Sequence, residues 1–119
     1  MKGQLEADLN IALSRFHKEI TGRGPKQIRT KITENIVVVK FIPYPEPIFK
    51  HLAKIETGRE MLKEITKILF ENTKDEIKNV LKDLVHTEVR DLFFDGNIEN
   101  ESEEIILVAT CKENILEEM

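Results

Sequence analysis

Side chains able to do chemistry are few in this sequence, and their spacing says more than their number. Three histidines and one cysteine, His17, His51, His86 and Cys111, match a tetrahedral zinc set in count. Zinc sites built locally take ligand pairs about two to five residues apart, whereas these four are scattered along the chain. The spacing predicts no metal site. The histidines read as surface or boundary residues and Cys111 as a buried, small apolar side chain. No His-Glu-x-x-His, Gly-x-Ser-x-Gly or phosphate-loop pattern occurs, and the serines Ser14 and Ser102 fall on a helix and in a polar turn. A carboxylate pair such as Glu103 and Glu104 does acid–base work only inside a cleft, and in so acidic a segment it reads as a solvated turn. The expectation is a protein that is not an enzyme and uses no cofactor.

One short string suggests binding. In Gly22-Arg23-Gly24-Pro25 an arginine stands between glycines at a helix exit, where its guanidinium fork can meet a phosphate, carboxylate or bicarbonate. Lys26 and Arg29 follow closely enough to join an anion site. A helix C-terminus carries partial negative charge, so the three side chains would have to do this work against the backbone. The plainer reading is a helix stop whose arginine caps carbonyls or pairs with an acid of the second hairpin. Charge is also unevenly spread. Arg15 to Lys31 holds six basic residues against Glu19 alone, and Glu88 to Met119 holds ten acids against Arg90 and Lys112. Such asymmetry steers a partner, pairs two protomers head to tail, or closes the fold on itself by attraction between sheet edge strands.

A length of 119 residues, 40% hydrophobic and 34% charged, bounds the chain to one domain, 1–119, with an adequate core. The net charge of -4, together with Phe16 as the one aromatic interleaved with the basic stretch, argues against nucleic acid. A lone cysteine points to the cytoplasm. The longest apolar run, Ile105 to Ala109, is far short of the ~20 residues of a spanning helix. Glu6 and Asp8 interrupt the apolar character a signal peptide would need. No direct membrane insertion is expected.

These features need elements to carry them. Leu5, Leu9, Ala12, Leu13, Phe16 and Ile20 recur at spacings of three and four, which predicts a helix over about 4–21, stopped by the glycines and Pro25. Ile28, Thr30 and Ile32 alternate with Arg29 and Lys31, and Glu34-Asn35 marks a tight turn into Ile36 to Ile42, a strand apolar on both faces and so central or doubly covered. Pro43 to Glu46 reads as a rigid connector and Pro47 as the first turn of a short helix through Ile48, Leu52 and Ile55. Thr57-Gly58-Arg59-Glu60 and Thr73-Lys74-Asp75-Glu76 each have a capping-box arrangement, so Met61, Leu62, Ile65, Ile68 and Leu69 form the stripe of either one long helix or the first of two. Val89 to Phe94 and Ile105 to Thr110 read as strands joined by a polar stretch with Gly96 and Asn97 as turn formers, and Lys112 to Met119 as a tail free to fray. The order α-β-β-α-α-β-β predicts an α+β fold of two layers, a four-stranded, mostly antiparallel sheet with helices on one face.

Phe16, Gly22-Arg23-Gly24-Pro25 before a hairpin, Leu52-Ala53 with Thr57-Gly58-Arg59, a long helix and a final hairpin together resemble the MpsC-like family. That family takes its name from the third component of a sodium-translocating, membrane-potential-generating system. Its members usually show a Thr-Pro and glutamate arrangement where this chain has Pro45-Glu46-Pro47 and Phe49, and a glycine where it has His86. The resemblance implies an accessory or regulatory protein linked to sodium or bicarbonate transport, working through protein contacts, with no catalytic residues to carry over. A homodimer meeting through helix one and the hairpin edges, and a partner in the membrane transport system, are expected. The rival is a small-anion sensor built on Arg23, Lys26 and Arg29 beside Gly22, Gly24 and Pro25.

Overall fold

The computed structural model describes residues 2–44, 46–97 and 104–115. The order is α1 (Lys2–Thr21), β1 (Gln27–Thr33), β2 (Ile36–Ile42), α2 (Pro47–Leu52), α3 (Glu56–Val85), β3 (Val89–Asn97) and β4 (Glu104–Cys111). The α+β fold predicted from the pattern is the one observed. All strand pairs are antiparallel, in the spatial order β1-β2-β4-β3. The two strands apolar on both faces, β2 and β4, hold the centre, and the charged strands β1 and β3 are its edges.

Both long helices cover one face. Leu9 and Leu13 of α1 and Leu81 and Val85 of α3 pack on Ile32, Val37, Val39, Leu92, Leu107 and Ala109. Cys111 is buried with them as a free thiol, and burial raises its pKa. Edge strand β1 is tied to α1 by polar contacts. The Glu6 carboxylate accepts the Ile32 amide at 2.8 Å, and the Thr30 hydroxyl donates to the Asn10 side chain at 2.6 Å. Among the described residues no helix lies on the opposite face of the sheet. Ile36, Val38 and Phe93 are exposed there, at 36%, 36% and 56% of their full surface, too much for a finished core.

This packing decides one local alternative and corrects other local expectations. The helix from 56 to 85 is continuous, because Thr73 returns its hydroxyl to the Leu69 carbonyl at 2.8 Å rather than capping a second start. Its N-cap is Ile55 with no side-chain cap, so Thr57-Gly58-Arg59-Glu60 is not a capping box. Gly58 and Arg59 instead build the corner with α2. The Leu52 carbonyl lies where a β-carbon on Gly58 would stand, and the Arg59 guanidinium donates to the Ala53 carbonyl at 2.9 Å. Gly96 and Asn97 belong to β3, paired with Ile105 and Glu104, while Ser102 and Glu103 lie outside the described residues. Nor is the start of the tail free. Ile115 is buried in the core and donates its amide to the Glu34 carbonyl at the first hairpin's turn.

The helix α3 ends at His86, whose φ of 59° and ψ of 30° are left-handed and whose amide caps Lys82 at 3.0 Å. Glycine adopts this conformation without the Cβ penalty. His86→Gly is therefore expected to raise unfolding free energy by about 1 kcal/mol, read as a higher urea midpoint at unchanged slope.

Candidate functional site: an apolar cleft beside the Gly-Arg-Gly-Pro loop

A cleft of about 600 Å3 opens between the end of α1, the connector after β2, α2 and the first half of α3. Its origin is a mismatch of lengths. At ~1.5 Å per residue the 30 residues of α3 run about 45 Å, whereas strands of seven to nine residues run about 23 to 30 Å. The C-terminal half of α3 therefore lies over the sheet and buries Leu81 and Val85. The N-terminal half overhangs it, leaving Met61, Ile65, Ile68 and Leu69 exposed at 52%, 37%, 59% and 44%. The periodicity assigned these residues to a buried stripe. The structure buries only Leu62 of that group.

The cleft wall is mostly aromatic and aliphatic: Phe16, Ile20, Phe41, Phe49, Ile65 and Leu69. Its floor reaches the edge of the core at Leu107 and at Phe94, whose ring meets that of Phe70 with centroids 4.1 Å apart. His17 sits in this wall with its ring edge-on to Phe41 at 5.3 Å, and desolvation lowers its pKa, which favours the neutral imidazole. Charged groups stand at the margin, in Arg23, Glu46 and Lys50.

The Gly-Arg-Gly-Pro loop forms one lip. Gly22 takes a φ of +83° and donates its amide to the Lys18 carbonyl at 2.7 Å, the helix stop expected of a glycine. The Thr21 hydroxyl lies 2.9 Å from the His17 carbonyl and 2.8 Å from that of Arg23, fixing the exit. The Arg23 guanidinium lies 4.0 Å from the centre of the Tyr44 ring, stacked across the loop and the connector. Arg23, Gly24 and Pro25 line the cleft. Lys26 is exposed outside it, donating its amide to Ile42 at the foot of β1, and Arg29 lies on the sheet face away from the helices. The three cations proposed for one anion site are thus divided between two faces.

Sequence reasoning found the lip and missed the wall. Phe41, Tyr44 and Phe49 gave no signal of their own. The available hint was an apolar stripe on α3 longer than any sheet of such short strands can cover. Among the described residues no cluster of histidine, cysteine and carboxylates is placed to hold a metal ion. None of their helices is long and apolar enough to cross a membrane.

Comparison with known proteins adds one finding. A family model described as "Na+-translocating membrane potential-generating system (MpsC)" matches residues 1–110, nearly the whole chain. No curated protein and no solved structure matches. A match of that extent covers α1, both helices of the middle segment and nearly all of the four-stranded sheet, including the loop and the corner described above. The chain belongs to the MpsC family.

Proposed function

We propose that this protein is a non-enzymatic accessory component of a sodium-translocating, membrane-potential-generating system, acting by docking an apolar helix of a membrane-bound partner in the cleft. The observation that carries the reading is the cleft itself: a wall of aromatic and aliphatic side chains, about 600 Å3 in volume, with charge only at its margin. Helix-in-groove recognition uses surfaces of this kind, with apolar anchors inside and ionic groups around them. Family membership supports the link to a sodium-translocating system, and because sodium crosses a membrane only through membrane-bound components, a helix of one of them is the occupant proposed for the cleft.

The test is functional. In the native host, deleting the gene should lower the sodium-dependent membrane potential reported by a voltage-sensitive dye, and wild-type protein should restore it. A folded Leu69→Glu variant, with a carboxylate in the cleft wall, should fail to restore it. An unchanged potential after deletion, or full rescue by Leu69→Glu, overturns the reading. The anion-sensor alternative is favoured by one observation, the presence of Arg23 and Lys50 at the same margin. Its distinguishing sign is a shift of the Arg23 resonances on titration with bicarbonate or phosphate.

A further inference from the structure

We infer that the face of the sheet turned away from α1 and α3 is a self-complementary surface that pairs two copies of this chain face to face. The register fixes what that face presents. Reading across β1, β2, β4 and β3, one row is Thr33, Ile36, Thr110 and Asp91. The next is Lys31, Val38, Val108 and Phe93, and the third is Arg29, Lys40, Ile106 and Asp95. The centre is apolar, one edge carries two cations and the other two carboxylates. Arg29 and Lys31 do not meet Asp91 and Asp95 within one copy, because β1 and β3 are opposite edges of the sheet. Lys40, the central cation, is already matched by Glu104 at 3.4 Å.

Charge selects the arrangement. Two copies facing each other can be related by a two-fold axis in the interface plane that runs either along the strands or across them. An axis across the strands lays β1 on β1 and β3 on β3, gathering four cations at one side and four carboxylates at the other. An axis along the strands lays β1 over the partner's β3 and keeps each row over itself. Arg29 then meets Asp95 of the second copy, Lys31 meets the face of its Phe93, and Val38 packs on its Val108, with the sheets about 10 Å apart. Each contact occurs twice. Four strands at ~4.8 Å and seven residues at ~3.4 Å give a flat patch of about 450 Å2 per copy, below the range of stable interfaces and within that of weak, transient ones, so a micromolar or weaker rather than an obligate dimer is expected. The edge of β1 is the weaker candidate, because the Glu6 carboxylate already occupies the Ile32 amide there.

The experiment is sedimentation velocity of the full chain from about 2 to 200 micromolar, at low and high salt, on wild type and two charge reversals. Wild type should dimerise, more weakly in high salt. Arg29→Asp and Asp95→Arg should each weaken association about tenfold or more, since each sets two like-charged pairs face to face. Mixed together, one copy of each variant restores an opposite-charge pair at both of the symmetry-related contacts, with the signs exchanged at one of them, and the two should form a dimer again. Circular dichroism and melting temperature report whether each variant is folded. A wild type that stays monomeric across the range overturns the inference without any variant. So does a dimer indifferent to both reversals, or a mixture of folded variants that does not reassociate.

Discussion

Replacing Gly58 with alanine is expected to cost about 3 kcal/mol or more of unfolding free energy, one of the largest effects of any single methyl group in this protein. A β-carbon at Gly58 would overlap the Leu52 carbonyl oxygen and stand 2.6 Å from its carbon and 2.9 Å from the Leu52 Cα. All three are backbone atoms, so no rotamer change relieves the overlap and the corner between α2 and α3 must open. Opening it also pulls the Arg59 guanidinium from the Ala53 carbonyl and moves one wall of the cleft. Gly3→Ala is the matched control. It lies in α1 with nothing outside its own helical turn within 4 Å of its added carbon, and alanine is the better helix former, so its effect should be of opposite sign. Denaturant midpoints of the two variants, measured side by side, check both; a Gly58→Ala protein as stable as wild type would refute the close approach.

The second large effect belongs to Leu81→Ala. Leu81 is fully buried at the crossing of α3 over the sheet, among Leu9, Val37 and Leu107 of the same cluster. Removing its isopropyl group leaves a cavity in a cluster built from α1, α3 and the sheet, which cannot all collapse inward, so the loss should be about 3 to 4 kcal/mol. Against a total stability of about 5 to 15 kcal/mol, such a variant stays folded at room temperature but melts well below wild type. Leu69→Ala on the overhanging half of the same helix should cost less than about 1 kcal/mol in the isolated protein, because Leu69 is already 44% exposed. Thermal unfolding followed by circular dichroism separates the two halves of α3.

Particular residues show how far the sequence could be read. The turn at Glu34-Asn35, the helix stop at Gly22 and the start at Pro47 were legible, because turn, cap and proline chemistry are local. The central position of β2 was legible too, since Ile-Val-Val-Val-Lys-Phe-Ile has no polar face to give to water. Thr73 was ambiguous, as one hydroxyl can cap a helix or be absorbed within it. The role of Gly58 was hidden because the atom that excludes a side chain belongs to another helix. Charge left alternatives open for a related reason. Basic and acidic stretches look attracted along the chain, yet insertion of β4 beside β2 sends Arg29 and Lys31 of β1 and Asp91 and Asp95 of β3 to opposite edges. The exposure of Ile65 and Leu69 depends on how far the sheet extends beneath α3, a length no window of the sequence contains.

The strand order also governs how the molecule is made. Because β4 is the neighbour of β2, and Cys111 and Ile115 donate to the backbone of Asn35 and Glu34, the first hairpin acquires its second partner only when residues 104–115 have been synthesised. Until then a growing chain on the ribosome holds a bare strand, Ile36 to Ile42, with nothing on its far side to zip against. Contacts this distant in sequence slow folding, and the interval is one in which foreign strands compete for the same backbone.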